Sequence, residues 1–576
     1  MRLPDLFTTS RGRLAAFFLL YVTEGIPLGF AATAIATQLR RQGVGPAEIG
    51  AFVGSFYLPW AFKWAFGPVV DVFASARLGR RRGWILGMQV LMVLTLLSTV
   101  LLKLPEQLGL LTAILLVHNV FSATQDVAID ALAVNSLQEH ERATGNGMMF
   151  AGASIGQMIG GSGALFIAAR FGFQSSFFFV AGAIVLVTLL VVLPFKEPAD
   201  PAWEARRGGG LKAAGREMRD FAMDAFRSFV GTRGAFAGLG MALLPPGALC
   251  LGLALQSNLA VELGLNDDQV AWLNLWSTII GAIGCVIGGV IADRMDRRKA
   301  LTAYILLMAL PVLALAGILQ HEGWITAEAN LHGLHNAALP FLVGAFWVAT
   351  LTYQFCNGLM YSTANAIYMD VTNPAVAATQ FTAYMAMANL AISYSATWQG
   401  IGIEAWGYPR TMLIDALFGM VFLVLLPFTR KRPDSPQGFT DAHASTRARA
   451  LARALAVMCL VWLPVHAEQS LLGPAQPIAG TLFSLVFVAA TLFLLAGGTV
   501  LGQEQPALAR TARRFALLLL LLLLRDHLGN APAWLQTVAD ALFYLLPALA
   551  ALLLWRLASR PWQTLQAPAN RPVAKA

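Results

Sequence analysis

Two short basic loops, half a chain apart and each set between long apolar runs, restrict this chain to a duplicated bundle of membrane helices. The first is Gly67 to Arg82, GPVVDVFASARLGRRR: Asp71 closes one apolar run, Arg80, Arg81 and Arg82 end the loop, and Trp84 opens the next run. The second is Gly289 to Lys299, GVIADRMDRRK, in which Gly289, Asp293, Arg294, Asp296, Arg297 and Arg298 give the pattern G-x-x-x-D-R-x-D-R-R. A helix end, a basic loop and a helix start repeated at this distance indicate two related domains rather than a solenoid. With 57% apolar and 12% charged residues over 576 positions, and a mean hydropathy of +0.64, a soluble domain is excluded. The net charge of +9 falls in short loops between apolar runs, where it sets orientation, so nucleic acid is not the expected partner.

A spanning helix needs about 20 apolar residues to cross a hydrocarbon core of ~30 Å, and a helix satisfies its own backbone groups there. The runs predict six spans near residues 14–37, 47–70, 84–104, 109–133, 146–169 and 174–195. Six more follow near 236–260, 269–293, 300–319, 339–369, 377–403 and 409–429. Glu24 and Pro27 inside the first run favour a retained helix over a cleaved signal peptide. Four further runs near 450–466, 477–501, 514–529 and 537–558 bring the total to sixteen, or to fourteen if the short first and third, which carry Pro464 and Arg525 with Asp526, do not cross. The expected division is a six-helix bundle at 1–196, a linker with an amphipathic helix at 197–234 and a second bundle at 235–430. A link at 431–448, accessory spans at 449–560 and a tail at 561–576 follow. Lys and Arg at 77–82, 206–219, 294–299 and 430–432 then share one side, which the positive-inside rule makes the cytoplasm, with both termini there.

Charges inside the membrane point to the chemistry, since each costs roughly 2.5 to 3.5 kcal/mol at a helix centre on insertion scales. Glu24, Lys63, Asp126 and Asp130 stand out, and the economical expectation gives Lys63 a carboxylate partner, either Glu24 or Asp126. Asp126 and Asp130 are four residues apart and share a helix face. Asp130 sits nearer the loops and reads as a gate latch, whereas Glu24 and Asp126 read as coupling or substrate groups. The second half echoes QDVAID at 125–130 as NAIYMD at 365–370, without most of the charges. It offers neutral groups instead: Gln256, Asn258, Asn274, Tyr353, Gln354, Asn357, Tyr361, Asn389, Tyr394, Trp398 and Gln399, which with Tyr57 of the first half suit a sugar or amide ligand. Gly152, Gly156 and Gly160 predict close helix packing or sliding between the halves. Cys250, Cys285, Cys356 and Cys459 lie in apolar runs without metal spacing, and His332 with His335 lacks a third ligand nearby, so no metal is expected.

The paired loops resemble the signature of the major facilitator superfamily, which implies an all-α polytopic fold of six plus six helices, here with about four appended. Asp71, Arg80, Arg81, Arg82, Asp293, Arg294, Arg297 and Arg298 are then implied to belong to gating loops. The first loop lacks the Arg after Asp71 and carries a longer insert. A narrower resemblance rests on RGRLAAFFLLYVTEGIPLGF at 11–30, FYLPWAFKW at 56–64, GRRRGW at 79–84 and FSATQD at 121–126. These segments look like the AmpG muropeptide permease group, whose members import cell-wall sugar-peptides, siderophores or acetyl-CoA. The resemblance implies proton-driven import of anhydro-muropeptides across the bacterial inner membrane, with Lys63, Gln125 and Asp126 lining a central cavity, no cofactor beyond the proton motive force, and a monomer in the bilayer. The appended helices lean toward muropeptide rather than siderophore. A membrane-embedded acyltransferase, with His118 and Asp126 as acid and base, is the alternative of a different class.

Overall fold

The computed structural model describes residues 5–42, 52, 58–61, 63, 66–73, 78–197, 223–265, 267–325, 339–430, 443–468, 476–500, 506–519, 522, 533–560 and 562. Among them the regular elements are helices, without strands. The first half holds α1 (Ser10–Gly29), α2 in the pieces Leu58–Ala61 and Phe66–Val72, α3 (Arg82–Ser98), α4 (Leu108–Ser136), α5 (Arg142–Met158) and α6 (Phe173–Val187). The second holds α7 in two segments, Arg233–Ala242 and Ala254–Glu262, then α8 (Asp267–Arg294), α9 (Arg297–His321), α10 (Leu339–Val371), α11 (Ala377–Trp406) and α12 (Tyr408–Met420). Beyond these lie α13 (Ala444–Ala467), α14 (Gln476–Val500), α15 (Pro506–Leu519) and α16 (Ala533–Ala558). Ten helices among the described residues are long and apolar enough to cross a membrane, eight of them between Ser10 and Thr429 and two, Ala444–Ala467 and Gln536–Ala558, beyond. Arg82–Ser98 and Val486–Gly497 are shorter apolar helices.

The helices form two compact units, Met1–Gly210 with Gly240–Pro427, and Leu211–Leu239 with Phe428–Ala576. In the first unit, α1 and α5 pack backbone against backbone. A Cβ on Gly152, Gly156 or Gly160 would stand 2.2, 2.3 or 2.0 Å from the carbonyl oxygens of Phe18, Val22 and Ile26. Such small-residue stripes let helices approach closely where lipid supplies no hydrophobic driving force. Of the two roles open to this stripe, the structure assigns close packing inside the first half. Both helices widen into π turns, Phe30–Ile35 and Ile159–Gly163, which lie side by side. Phe30, Phe177 and Ile184 join Met92, Leu111 and Leu115 in the apolar core beside this seam.

The second unit has its own core of Trp462, Phe487, Phe543, Leu554 and Trp562. Part of the expected linker belongs to that core: Val230 is buried in it, Met223 packs against it, and the Phe226 ring lies 5.2 Å from Phe493 and 6.0 Å from Trp562. Arg447 fixes this stretch by donating to the carbonyls of Val230, at 2.6 Å, and Gly231, at 2.5 Å. Of the other residues of the expected surface helix, Arg227 pairs with Asp224 at 3.3 Å, and Arg216, Arg219 and Phe221 lie outside the described residues. The third appended run also differs from expectation. Its helix starts at Pro506 rather than 514, and it is amphipathic, with Ala509, Ala512 and Ala516 buried and Arg510 and Arg514 exposed. The sequence boundary followed the Leu run at 517–524 and passed over the alanine stripe, whose small side chains add little apolar signal.

The α1–α5 seam yields a stability prediction. Replacing Gly156 by Leu should lower the melting temperature of the detergent-purified protein by several degrees, since overpacking of this kind costs roughly 1–3 kcal/mol. Gly182→Ala, where nothing lies within 4 Å, should leave it unchanged. Thermal unfolding followed by size-exclusion fluorescence measures both.

Candidate functional site

The first half gathers its membrane charges into one buried cluster. Lys63 donates to Asp126 Oδ2 at 2.8 Å, and its ammonium stands 3.9 Å from Asp130 Oδ2. Tyr21 of α1 donates its hydroxyl to Asp130 Oδ1 at 2.5 Å. Glu24, one turn further along α1, lies in electrostatic reach of Asp126, Lys63 and Asp130, and its Oε2 is buried without a hydrogen-bond partner. Lys63, Asp126 and Asp130 are 6%, 2% and 1% exposed, so water does little to screen them. One ammonium therefore pairs with two carboxylates, with Glu24 in electrostatic reach of all three.

Neutral groups surround these charges. Gln125 donates to Thr23 Oγ1 at 3.0 Å and Gln89 to the same oxygen at 3.3 Å, while Thr188 donates to Gln89 Oε1 at 2.7 Å. The Lys63 ammonium lies 5.7 Å from the Trp60 ring centroid, and Trp60 donates to Asn119 at 3.1 Å. From the second half, Tyr361 comes within electrostatic reach of Lys63 and Glu24, and its ring meets Phe150 edge-on at 4.6 Å. His118 turns to α3, where its Nδ1 meets Thr95 Oγ1 at 2.9 Å and the Met92 carbonyl at 3.1 Å.

The loop signatures build a second site, where the two halves meet. Asp71 closes α2, is paired by Arg81 and lies 3.7 Å from Arg80. Its other oxygen accepts from the backbone N–H of Thr379 at 3.0 Å and from its hydroxyl at 3.2 Å, at the start of α11. Asp293 at the end of α8 does the same for α5, accepting from the N–H groups of Ala143 at 3.1 Å and Thr144 at 2.7 Å. A carboxylate at a helix N-terminus satisfies orphan N–H groups and meets the positive end of the helix dipole. The backbones close up as well: a Cβ on Gly289 would stand 2.3 Å from the Ala143 carbonyl oxygen, and one on Gly67 2.8 Å from Thr379 Cα. This end of the two-half bundle is shut.

Asp130 was expected at this latch and is not there. It lies one turn from Asp126 on the face of α4 turned to α1, which delivers it to Tyr21 and Lys63. Its repeat counterpart Asp370 takes the latch position, accepting from Arg142 at 2.9 Å and Arg297 at 2.8 and 2.7 Å, while Arg297 also holds Asp293 at 2.8 Å. Arg82 stays within the first half, bound to the carbonyls of Val192 at 2.9 Å and Leu193 at 2.8 Å. Arg298 sits 3.9 Å from Asp296, and Arg294 is exposed. Sequence reasoning missed Tyr21, Arg142 and the Arg13–Glu141 pair at 2.7 Å. The i, i+3 spacing of Tyr21 and Glu24 was the available signal for the first.

The proposed ligand groups of the second half disperse. Tyr353 is fully buried beside Gly252, Gln256 and Asn357 are half-buried, and Asn274 and Asn389 are exposed. Trp398 packs edge-on to Phe418 at 6.3 Å with its Nε1 buried and without a hydrogen-bond partner. Tyr57, the Asn258 side chain, His332 and His335 lie outside the described residues. No group of three or more His, Cys, Asp or Glu that could hold a metal occurs among the described residues, and all four cysteines are buried free thiols.

Comparison with known proteins fits this geometry. The family model "Major Facilitator Superfamily" matches residues 14–396 and again 235–565. The anhydromuropeptide permease of Escherichia coli strain K12 is 24% identical over 431 residues, covering 73% of this chain and 80% of the relative. A Rickettsia conorii protein bearing the transporter name AmpG 4 is 24% identical over 316 residues, covering 52% and 72%. Among solved structures, a proton:xylose symporter superposes with a TM-score of 0.51 at 13% identity, covering 73% of this chain and 97% of that one. The acyltransferase alternative falls with these matches. This chain, with its twin loops and its two latched halves, belongs to the Major Facilitator Superfamily as a multi-pass secondary transporter of small molecules.

Proposed function

We propose that the chain imports anhydro-muropeptides, GlcNAc-anhydro-MurNAc with or without its peptide, from periplasm to cytoplasm by proton symport. In this reading it serves cell-wall recycling and β-lactamase induction, sits as a monomer in the bacterial inner membrane and keeps both termini in the cytoplasm. The observation that carries it is the buried cluster of Lys63 with Glu24, Asp126 and Asp130, on a chain similar to a permease of that name over 80% of the relative's length. A single ammonium balances one carboxylate, so the remaining two change the net charge of the cluster when they gain or lose a proton. Tyr21 ties Asp130 to α1 and Tyr361 brings the second half to the same place, so a change of protonation there is felt by both halves. Around the cluster, the amides of Gln125 and Gln89, the Trp60 indole and the Tyr361 phenol supply donors and acceptors of the kind a sugar-peptide needs. Alternating access then consists of opening the Asp71 and Asp293 latches at the cytoplasmic end while the far end closes.

Uptake of labelled anhydro-muropeptide into proteoliposomes, with and without an inward proton gradient, tests the reading. Accumulation that requires the gradient and disappears in Asp126→Asn is the expected result. No uptake by folded wild type overturns the muropeptide assignment while leaving the family standing.

Two variants test the parts. Lys63→Met strands buried carboxylates, so it should destabilise the protein by about 3–5 kcal/mol and reduce gradient-driven uptake below a tenth. Lys63→Met with Asp126→Asn should recover part of the thermal stability, since Asp130 still lacks its cation, and none of the uptake, read by melting and vesicle assays side by side. Asp293→Ala removes the cap on α5, worth roughly 0.5–2 kcal/mol, and should raise the population open at the α2–α3 end up to ~30-fold, measured as thiol labelling of Thr144→Cys.

A further inference from the structure

Helix α7 is interrupted in the middle of its run. After Ala242 the chain passes Pro245, Pro246 and Gly247, turns tightly at Cys250–Gly252 and resumes as a helix at Ala254. The two prolines offer no N–H and disfavour helix in the residue before them, and Gly247 takes φ +99°, a conformation that side chains resist. Backbone groups freed at membrane depth must find partners within the protein. One side chain of α12 supplies two of them: Asp415 Oδ2 accepts from the N–H groups of Leu249 at 2.7 Å and Cys250 at 2.9 Å. Tyr394 of α11 supplies another, donating to the Leu243 carbonyl at 2.8 Å. Gly419, one turn beyond Asp415, lies flush on the break, with space for a Cβ blocked at 2.1 Å by the Gly247 carbonyl carbon.

The partners of Asp415 differ in kind from those of Asp126. Asp415 is fully buried, and its other oxygen, Oδ1, accepts from Gln399 Nε2 of α11 at 2.7 Å. The titratable groups facing it are the Cys250 thiol from the break and the Tyr353 hydroxyl from α10. α9 brings the apolar Ile305 and Met308 against Gly247, and among the described residues no Lys, Arg or His forms an ion pair with Asp415. Hydrogen bonds alone hold its charge. Meanwhile Gln399 Oε1, on a side chain 1% exposed, is buried without a partner. A carboxamide has a donor and an acceptor at interchangeable positions, so it pairs with a carboxylate through its NH2 and with a carboxylic acid through its oxygen. The idle Oε1 is what the anionic state leaves over.

We propose that Asp415 and Gln399 form a second proton-binding site, in the C-terminal half, seated on the break in α7. A hydronium ion gives one proton to a lone pair of Asp415 Oδ1 and leaves as water, and the site goes from one negative charge to none. Gln399 turns its amide about the Cγ–Cδ bond, and Oε1 accepts the new O–H. Oδ2 keeps both backbone N–H groups throughout, so the break is held in either state while the bond between α11 and α12 reverses its direction. The site does not depend on which solute the transporter carries.

Infrared difference spectroscopy of the purified protein in nanodiscs, between high and low pH and without substrate, tests this. The expected result is a carboxylic-acid C=O component that grows on acidification, shifts in D2O, is lost in Asp415→Asn and persists in Asp126→Asn. Should Asp415→Asn fail to fold, Gln399→Met keeps the carboxyl group and removes the amide, and should move the midpoint of the band by about one pH unit, a tenfold change in proton affinity. A wild type without such a band, a band unchanged in Asp415→Asn, or a midpoint unmoved in Gln399→Met overturns the proposal.

Discussion

A charge in hydrocarbon must have a partner, and this fold is arranged around that demand. In the first half it is met by concentration: Lys63 draws Asp126 and Asp130 to itself, and Tyr21 and Glu24 of α1 complete the group. The glycine seam between α1 and α5 fixes the helix that carries Tyr21 and Glu24, with no side chain between the two backbones to give way. Rigidity of the seam and placement of the charges are one property. In the second half the buried carboxylate of Asp415 is met by amide and backbone donors at the broken α7.

The duplication is kept in the latches and lost in the interior. Asp71 and Asp293 occupy equivalent loop positions, and each caps the first turn of a helix from the other half. Asp130 and Asp370 also correspond, yet one joins the buried cluster and the other binds Arg142 and Arg297 at the latch. Lys63 accounts for the difference. A cation in the first half recruits the nearest carboxylate inward, and the second half has none at the matching depth to do so.

Much of this was legible in the sequence. The loop patterns, the apolar runs and the isolated charges announce the superfamily fold and the charged residues that meet inside its first half, since each is a local signal with one physical reading. What stayed hidden needed contacts between distant segments. Pro245-Pro246-Gly247 marks a break, but the apolar composition of 236–260 reads as one span because hydropathy does not register backbone geometry. Asp415, set in the apolar stretch LIDALFG, passes unnoticed without α7 beside it. Met223 and Phe226 look like the apolar face of a surface helix until α13, α14 and α16 are folded around them.

The latches have a consequence for how this chain can diverge. Each joins a side-chain carboxylate to main-chain N–H groups at Ala143, Thr144 and Thr379. A main-chain donor survives any replacement except proline, so these bonds do not depend on the side chains of Ala143 and Thr144, whereas Thr379 adds its hydroxyl to the same Asp71 oxygen at 3.2 Å. The side chains that the closed end cannot exchange are then its acceptors and their cations: Asp71 with Arg81, and Asp293 and Asp370 with Arg297 and Arg142.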